Sequence, residues 1–415
     1  MGPVQGDSNT NINGKEQNNS NNDTIMPKEM YQAPACLKIP LTPPRKLLMG
    51  PGPSTVPPRI LAASAIPLIG HMHPEMYQVM DEIKAGIQYV FQTQNELTLA
   101  ISGAGHAAME AAVCNLIEDG DVLVSFVAGM WGERFAEIGE RHRAVTHRIS
   151  KPLGSVFTLE EIEEALKSKK PTVMFIAQSE STGTILQPIE GIGELCRRYG
   201  TLLVVDSVAS LGGTPMFMDE WGIDVLYAGS QKALNCPPGA SPISFSQRAR
   251  DKIAKRKTKV TSFYLDTNEL ANYWGCDAGP RRYHHTGPIS TLFALREGLA
   301  ILAEEGLEKS WEKHRRISRL MWEGVEALGL ELFVKDEKHR LPTLTGIKIP
   351  TGVDWKKVCQ YAMNTYKIEI AGGLGPESIG KLWRIGAMGY NATEHNVNTV
   401  LRVLSEGIKQ CKITE

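Results

Sequence analysis

Short apolar segments that alternate with helical patterns constrain the fold of this chain more than any other feature of its sequence. Each segment has strand length and is apolar on both faces. Strands of this kind are buried on both sides, and helices between them supply the crossovers of a parallel sheet. The sequence therefore predicts an α/β domain with a mostly parallel sheet flanked by helices. The predicted strands are Leu97–Ser102, Val122–Val127, Thr172–Ala177, Thr201–Val205 and Val225–Ala228.

A second region with a different pattern follows this domain. Residues 291–329 are helical in pattern and rich in charge, and strand-like segments alternate with helices beyond them. This pattern predicts a smaller C-terminal α+β domain. Its predicted strands are Leu330–Val334, Thr343–Ile349, Lys367–Ile370 and Leu382–Ile385. We predict four parts in all: a tail over 1–42, an arm over 43–65, a large domain over 66–305 and a small domain over 306–415.

The N-terminal segments differ in composition from the rest of the chain. Residues 1–30 are rich in asparagine and contain no aromatic residue. Such a segment cannot bury enough apolar area to offset the entropy lost on ordering, so we predict a disordered tail. Prolines crowd residues 43–60 and restrict the backbone to extended and turn conformations. This spacing predicts an arm and not a helix.

Neither terminus contains a sequence that predicts a subcellular location. Arginine is absent before Arg45, whereas acidic residues do occur there, which is unlike a mitochondrial presequence. The N-terminus lacks the Ser or Thr expected for myristoylation, and Cys411–Glu415 is not a Ser-Lys-Leu peroxisomal signal. Peroxisome, mitochondrion and cytosol all remain open.

Charge and cysteine content argue against several classes of protein. The formal net charge is -1, which gives no electrostatic reason to expect a nucleic acid or an acidic membrane as partner. No uncharged apolar stretch is long enough to span a bilayer. The seven cysteines are scattered, with no C-x-x-C pair, so we expect free thiols and neither a disulfide framework nor a zinc site. These observations favour a protein that binds small molecules in a pocket.

Two charged side chains follow buried strands and are expected at one edge of the sheet. Asp206 ends the run TLLVVD, and Lys232 follows VLYAGS one strand–helix–strand unit later. Ligand crevices form at the carboxyl ends of parallel strands. Taken alone, such an Asp is more often a helix N-cap or a structural ion pair. Most lysines are solvated, but Tyr227, Leu234 and Pro237 flank Lys232, so burial should lower the pKa of its amine and make it nucleophilic.

A glycine-rich turn between a strand and a helix predicts a phosphate site. In ISGAGHAAMEAA the helix opens near His106, and Gly103 and Gly105 leave its first backbone N–H groups accessible. Gly103–Ala108 also satisfies the dinucleotide fingerprint G-x-G-x-x-G/A. In that fold the acidic residue for the ribose follows the next strand, whereas here the acidic residues precede the strand VLVSF. A phosphate site, a carboxylate and an amine together suit pyridoxal phosphate better.

Several longer runs carry a resemblance to a known family. They are LLMGPGPS, ISGAGHAAMEAA, DSVASLGGTPMFMD, YAGSQKALNCPPGASPISFS, FYLD, NYWGCD, RRYHHTGP, AGGLGP and LWRIGAMGYNA. With them, residues 43–411 resemble the alanine–glyoxylate and serine–pyruvate aminotransferases, class V members of the fold-type I pyridoxal-phosphate enzymes. The resemblance implies that fold, with a large cofactor-binding domain and a smaller C-terminal domain.

The resemblance implies roles for residues around the cofactor. Lys232 would hold pyridoxal phosphate as a Schiff base and later carry the proton between the substrate α-carbon and the cofactor. Asp206 would pair with the pyridinium nitrogen and keep it protonated, so that the ring accepts electrons when that proton leaves. Trp131 would stack on one ring face and Val208 on the other, although a lone Trp is more often a core residue. The other cofactor contacts would be Gly105, His106, Ser181 and Gln231.

The resemblance also implies residues for the substrate and for a second subunit. Arg384 would bind the substrate α-carboxylate through two parallel hydrogen bonds, although such an Arg alone is as readily a structural ion pair. Gly50 would line the substrate pocket, where the lack of a side chain leaves room. Tyr283 and Thr286 would reach the cofactor phosphate of the neighbouring subunit, which implies a homodimer. Without the resemblance, RRYHHT is a solvated basic loop, and its histidines lack the acidic or cysteine partners of a metal site.

The function that the resemblance implies is a ping-pong transamination. L-Alanine or L-serine would give its amino group to glyoxylate, with pyruvate or hydroxypyruvate and glycine as products. The sequence shows no second cation for a distal carboxylate, which favours small substrates. Kynurenine or 3-hydroxykynurenine as donor stays open on the same scaffold. A cysteine desulfurase is less well supported because Cys236 closely follows Lys232, and a nicotinamide-dependent oxidoreductase rests on Gly103–Ala108 alone.

Overall fold

Buried strands and helices alternate through the chain, which the computed structural model describes over residues 31–412. The strands are β1 (Leu97–Ser102), β2 (Val122–Val127), β3 (Val145–Ser150), β4 (Val173–Ala177), β5 (Ser179–Glu180), β6 (Ile185–Leu186), β7 (Leu202–Asp206), β8 (Val225–Tyr227), β9 (Ala240–Phe245), β10 (Leu344–Lys348), β11 (Ala371–Gly372) and β12 (Leu382–Gly386). The α-helices are α1 (Pro58–Ser64), α2 (Pro74–Phe91), α3 (Gly105–Leu116), α4 (Met130–Arg141), α5 (Leu159–Lys169), α6 (Ile192–Arg198), α7 (Gln247–Ala254), α8 (Thr267–Tyr273), α9 (Ile289–Glu305), α10 (Leu307–Ala327), α11 (Trp355–Tyr361) and α12 (Glu394–Gln410).

The main sheet has seven strands in the order β1-β9-β8-β7-β4-β2-β3. The five strands β8, β7, β4, β2 and β3 are parallel to one another. Strand β9 is antiparallel to both β8 and β1. All residues of β4, β7, β8 and β9 are buried, as expected for strands covered on both faces. The predicted α/β fold with a mostly parallel sheet is confirmed, and the carboxyl ends of its parallel strands meet at one edge.

The C-terminal part has its own sheet and its own apolar core. β12 lies between β10 and β11, and both pairs are antiparallel. A cluster of buried side chains that includes Trp322, Trp383 and Val400 is separate from the core of the main sheet. Helices α10 and α12 contribute apolar residues to this cluster and pack against each other.

Two strands of the main sheet were not predicted because their sequences lack the buried-strand pattern. β3 lies at the sheet edge and has the sequence VTHRIS, with no fully buried residue. β9 contains Pro242, which cannot donate a backbone hydrogen bond. The Pro242 carbonyl nevertheless accepts a hydrogen bond from Ala228 N at 2.9 Å, so the strand keeps one side of the ladder.

Three further segments differ from their predicted structure. Residues 330–334 are not a strand and contribute a single bridge, between Leu332 and Ile347. Residues 367–370 also form only one bridge, between Ile368 and Leu47 of the arm. Helix α1 begins at Pro58, so the end of the predicted arm is helical; proline is well tolerated in the first helical turn.

The described residues up to Arg45 and those from Lys46 onward form two separate units. The first contains a short 3-10 helix, Ala35–Lys38, whose residues are exposed. The predicted disordered tail lies, over residues 1–30, outside the described residues. The four-part division of the chain stays a prediction. All seven cysteines are free thiols, as the sequence predicts.

Candidate active site

Asp206 and Lys232 lie at the same edge of the main sheet, in one cavity. Asp206 is the last residue of β7, and Lys232 follows the neighbouring strand β8. The cavity is lined by eight of the residues that the sequence singled out: Gly105, His106, Trp131, Ser181, Asp206, Val208, Gln231 and Lys232. The tertiary structure therefore brings together residues that span more than a hundred positions of the chain.

Asp206 is a buried carboxylate without a cationic partner in the described chain. Its side chain is 3% exposed, and Oδ1 accepts a hydrogen bond from Val208 N at 2.8 Å. Burial raises the pKa of Asp206 to about 6, because desolvation disfavours the charged form. A cation that entered this cavity would stabilise the ionised carboxylate. The arrangement is neither a helix N-cap nor a structural ion pair.

Lys232 is partly buried, and its amine faces the N-terminal arm. Burial and, to a smaller extent, the positive charge of Arg384 together lower the pKa of its amine to about 8. Lys232 Nζ donates a hydrogen bond to the carbonyl of Pro51. A Cβ on Gly52 would lie 2.5 Å from Nζ, so only glycine leaves room for the lysine there. The lysine thus has the burial and the lowered pKa of a nucleophilic amine.

The loop that carries Lys232 is held by Ser54 of the arm. Ser54 Oγ lies 2.6 Å from the carbonyl of Lys232 and 3.1 Å from that of Gln231. Asn235 Nδ2 donates to the same hydroxyl oxygen at 2.8 Å. These contacts join residues about 180 positions apart and fix the backbone beneath the amine.

The glycine turn opens a helix whose first N–H groups have no side-chain cap. Helix α3 begins at Gly105, and its N-cap residue Ala104 makes no side-chain capping hydrogen bond. A hydroxyl or carboxylate normally occupies this position, so the turn can offer backbone N–H groups to an anion such as phosphate. The opening of the helix near His106 is confirmed.

Trp131 forms a wall of the cavity and is held at both its backbone and its ring. It is the second residue of α4, and its indole Nε1 donates to Ser181 Oγ at 2.8 Å. Its backbone N donates to Glu180 Oε2 at 3.1 Å, and Thr182 N donates to Glu180 Oε1 at 2.9 Å. Glu180 is fully buried, and burial raises the pKa of its carboxyl to about 7. Trp131 is therefore a fixed part of the site and not a core residue.

Arg384 extends from the C-terminal sheet to the segment that holds Trp131. It lies in β12 and is 5% exposed, and burial lowers the pKa of its guanidinium to about 10. Nε donates to the carbonyl of Gly372 at 2.9 Å, and Nη1 donates to that of Ser181 at 3.2 Å. Within residues 31–412 its hydrogen bonds go to carbonyls and not to carboxylates. The orientation of the guanidinium is thus fixed while its charge stays available to a carboxylate ligand.

Gly50 lies against the carboxylate of Glu369, a residue that the sequence analysis did not single out. A Cβ on Gly50 would lie 2.6 Å from Cδ of Glu369. Burial raises the pKa of the Glu369 carboxyl, whereas the backbone N–H of Gly50 and the charges of Lys232 and Arg384 act in the opposite direction. Gly50 and Arg384 do not line the cavity around Lys232, although Arg384 donates a hydrogen bond to Ser181, which does.

Tyr283 and Thr286 do not line the cavity of their own chain. The Tyr283 side chain is 62% exposed, and Thr286 is also exposed. Between them, His285 hydrogen-bonds to Ser102 at 2.6 Å, which anchors this loop beside the glycine turn. Burial lowers the pKa of His285 to about 4, so the ring is neutral at physiological pH. The roles of Tyr283 and Thr286 stay predictions.

Sequence reasoning missed Glu180, Glu369 and Ser54. Glu180 directly precedes the predicted Ser181, and Ser54 lies within the run LLMGPGPS. Their positions next to predicted site residues could therefore have indicated both. Glu369 had no such signal, because the strand-like run KIEI around it suggests only an exposed polar position.

Residues 31–412 contain neither a metal-binding cluster nor a membrane-spanning helix. Within that range no cluster of acidic, histidine or cysteine residues could hold a metal ion. None of the helices in that range combines the length and apolarity needed to cross a bilayer.

Comparisons with known proteins agree with this geometry. The family model described as Aminotransferase class-V matches residues 60–400. The chain is 55% identical over 378 residues to an alanine–glyoxylate aminotransferase of Callithrix jacchus, and 55% identical over 378 residues to that of Felis catus; each match covers 91% of both proteins. A crystal structure of an alanine–glyoxylate aminotransferase from Nostoc sp. superposes with a TM-score of 0.87 at 44% identity, covering 91% of this chain and all of that one.

Proposed function

The chain belongs to the class-V aminotransferase family, and from this membership we propose that it transfers the amino group of L-alanine or L-serine to glyoxylate. The single observation that carries the proposal is that a partly buried amine, Lys232, and a buried carboxylate, Asp206, line one cavity at the same edge of the sheet. Relatives that share about half of the residues over most of the chain act on alanine and glyoxylate by name, which supports this choice of substrates.

The enzyme is pyridoxal-phosphate dependent, and the residues of the cavity fit that cofactor. The uncapped start of α3 suits the phosphate. The carboxylate of Asp206 has no cationic partner among the described residues and suits the cationic ring nitrogen. Gln231 Oε1 is buried without a hydrogen-bond partner in the described chain, so the cavity still has an acceptor to satisfy. When bound, the cofactor supplies an electron sink for the carbanion formed at the substrate α-carbon.

In this proposal Lys232 and Arg384 act on the substrate, and Trp131 and Val208 shield it from water. The amine of Lys232 takes the proton from the α-carbon of the amino donor and, in the second half-reaction, delivers a proton to the α-carbon of the glycine that forms; a pKa lowered to about 8 permits this near neutral pH. Arg384 binds the α-carboxylate and thereby orients the bond that breaks. Trp131 and Val208 line the same cavity, where their apolar side chains would exclude water from the reacting atoms.

The alternative chemistries that the sequence left open gain no support from the geometry. Cys236 is 1% exposed, its Sγ lies 3.3 Å from the carbonyl of Ala294, and burial raises the pKa of its thiol to about 12. This thiol is not a mobile nucleophile of the kind that a desulfurase requires. The turn Gly103–Ala108 opens onto Lys232 and Asp206, which a dinucleotide site does not require.

The visible absorption spectrum of the purified protein tests the proposed function. We expect a yellow protein that loses its absorption band when L-alanine is added and regains it when glyoxylate follows, because each half-reaction changes the state of the cofactor. Pyruvate and glycine should appear in matching amounts. A yellow protein whose spectrum changes with neither L-alanine nor L-serine would overturn the choice of donor, and kynurenine would be tested next.

We further propose that the enzyme is a homodimer in which Tyr283 and Thr286 complete the partner's site. Their exposure, together with the anchoring of His285 to Ser102, supports a loop that is held firmly while its side chains project outward. Peroxisomal or mitochondrial location stays a prediction of the family resemblance, which cell fractionation would test.

Mixing two inactive variants tests the dimer. A Tyr283→Ala/Thr286→Ala variant mixed with Lys232→Ala should recover about a quarter of native activity, because half of randomly formed dimers are mixed and each has one intact site. Lys232→Ala mixed with Asp206→Asn is the matched control and should recover none, since both residues belong to the same chain's cavity. Equal recovery in the two mixtures, or none in either while subunits exchange, would contradict the shared site.

A further inference from the structure

Glu369 has no part in the proposed reaction, yet its carboxylate lies beside the substrate-binding groups. Its backbone N donates to the carbonyl of Leu47 at 2.9 Å, which aligns it with the arm. Its side chain then lies directly against Gly50, where a Cβ would be 2.6 Å from Cδ and within 2.8 Å of both carboxylate oxygens. Gly50 and Gly52 thus leave room for a carboxylate and for the amine of Lys232 respectively.

One oxygen of this carboxylate is buried and without a partner. Oε2 of Glu369 has no hydrogen-bond partner among the described residues and is shielded from solvent. A buried acceptor left unpaired costs free energy, so its presence in a folded protein calls for a reason. Since the carboxylate lies against Gly50, which the family resemblance assigns to the substrate pocket, an effect on the substrate is the direct explanation.

Among the described residues, the charges around the site leave no buried cation for a second substrate carboxylate. The cationic groups whose charges act on Glu369 are Lys232, Lys46 and Arg384. Lys46 is exposed to solvent, Lys232 is required as an amine, and Arg384 is assigned to the α-carboxylate. Arg384 is also already within the influence of two carboxylates, Glu180 and Glu369. A dicarboxylic substrate would therefore bring an additional negative charge into a site that already contains the fixed, poorly solvated negative charge of Glu369.

We infer that Glu369 is a specificity-determining residue that excludes amino donors with a second carboxylate, such as L-aspartate, while accepting neutral ones. This inference rests on the proposed function. Like charges in a poorly solvated site repel strongly, and many specific sites discriminate by such a repulsive element. A neutral hydroxyl, by contrast, can donate a hydrogen bond to Oε2, so L-serine is compatible with the same carboxylate.

Replacement of Glu369 by glutamine tests the inference, because it removes the charge and keeps the shape. We expect kcat/KM for L-aspartate relative to L-alanine, both with glyoxylate, to rise about tenfold or more in Glu369→Gln. Glu377→Gln is the matched control: Glu377 is exposed and lies in the nearby segment after β11, so its loss should leave this ratio as in the native enzyme.

The outcomes separate this inference from the proposed function. An unmodified enzyme that converts L-alanine, with an unmoved aspartate-to-alanine ratio in Glu369→Gln, would overturn the inference alone. A rise of equal size in Glu377→Gln would also overturn it, since a general change of surface charge would then suffice. An unmodified enzyme that fails to convert L-alanine or L-serine would instead overturn the proposed function.

Competitive inhibition of the unmodified enzyme gives a second measurement that does not depend on folding of the variant. Propionate and succinate share a carboxylate and a short chain, but succinate carries a second charge. Propionate should inhibit L-alanine turnover at a concentration about tenfold lower or more than succinate. Equal inhibition, or stronger inhibition by succinate, would overturn the role of Glu369.

Discussion

Replacement of Lys232 by alanine should lower the rate of transamination by about a thousandfold or more, because it removes the amine that is proposed to move the substrate α-proton. Ser54 and Asn235 hold the loop through backbone carbonyls and a hydroxyl, so these contacts survive the substitution and the fold should persist. Steady-state kinetics with L-alanine and glyoxylate, alongside thermal unfolding, measure the two effects separately.

A small amine added to the solution distinguishes lost chemistry from lost structure. Methylamine can enter the space left by the side chain and accept the proton, so activity of Lys232→Ala should rise with its concentration. Lys367, an exposed lysine, serves as a control, and Lys367→Ala should keep native activity. A Lys232→Ala enzyme with near-native activity in the absence of added amine would refute the assigned role.

Replacement of Asp206 by asparagine should lower kcat by about a hundredfold or more and weaken cofactor binding, because the cationic ring nitrogen loses its partner. Asparagine can still accept the hydrogen bond from Val208 N, so the turn after β7 is preserved. Cofactor titration by absorbance and steady-state kinetics measure the two losses.

The pH dependence of cofactor binding should change in the same variant. In the native protein the pKa of Asp206 is raised to about 6, so the carboxyl is ionised above this pH and takes up a proton below it. Cofactor affinity should therefore fall as the pH decreases through about 6 in the native protein, and this step should be absent in Asp206→Asn. A step of equal size in both proteins would assign it to another group.

Asp224 provides a matched control at the other end of the same sheet. It is also a buried carboxylate, 2% exposed, but it is paired with Arg248 at 2.8 Å. Asp224→Asn should lower the melting temperature, because Arg248 loses its partner, and should leave cofactor affinity at its native value. Weakened cofactor binding in this control would mean that any buried carboxylate of the sheet has the effect predicted for Asp206.

Much of the main sheet could be predicted because its central strands are apolar on both faces. The predicted ends of β1 and β2 agree with the structure, and those of β4, β7 and β8 differ by about one residue. β3 and β9 could not be predicted, since an edge strand does not need an apolar sequence and Pro242 argues against a central strand. Their places in the sheet depend on pairing with β2, β8 and β1.

The candidate site was predictable where a residue stands next to a recognisable element. Asp206 and Lys232 follow buried strands, and the glycine turn precedes a helix, so their meeting at one sheet edge follows from the geometry of parallel strands. Arg384, Trp131 and Val208 were assigned through family resemblance, and the structure shows what holds two of them: carbonyls for Arg384, and Ser181 with Glu180 for Trp131.

The sequence by itself determined the fold class and the amine–carboxylate pair, because strand pattern and strand ends are local properties of the chain. Only the tertiary structure decided that Ser54 holds the loop of Lys232, that Glu180 fixes Trp131, and that an unpaired oxygen of Glu369 lies against Gly50. These contacts join segments from about 50 to more than 300 positions apart. No local pattern encodes them, since each forms only when segments distant in the sequence meet in the folded chain.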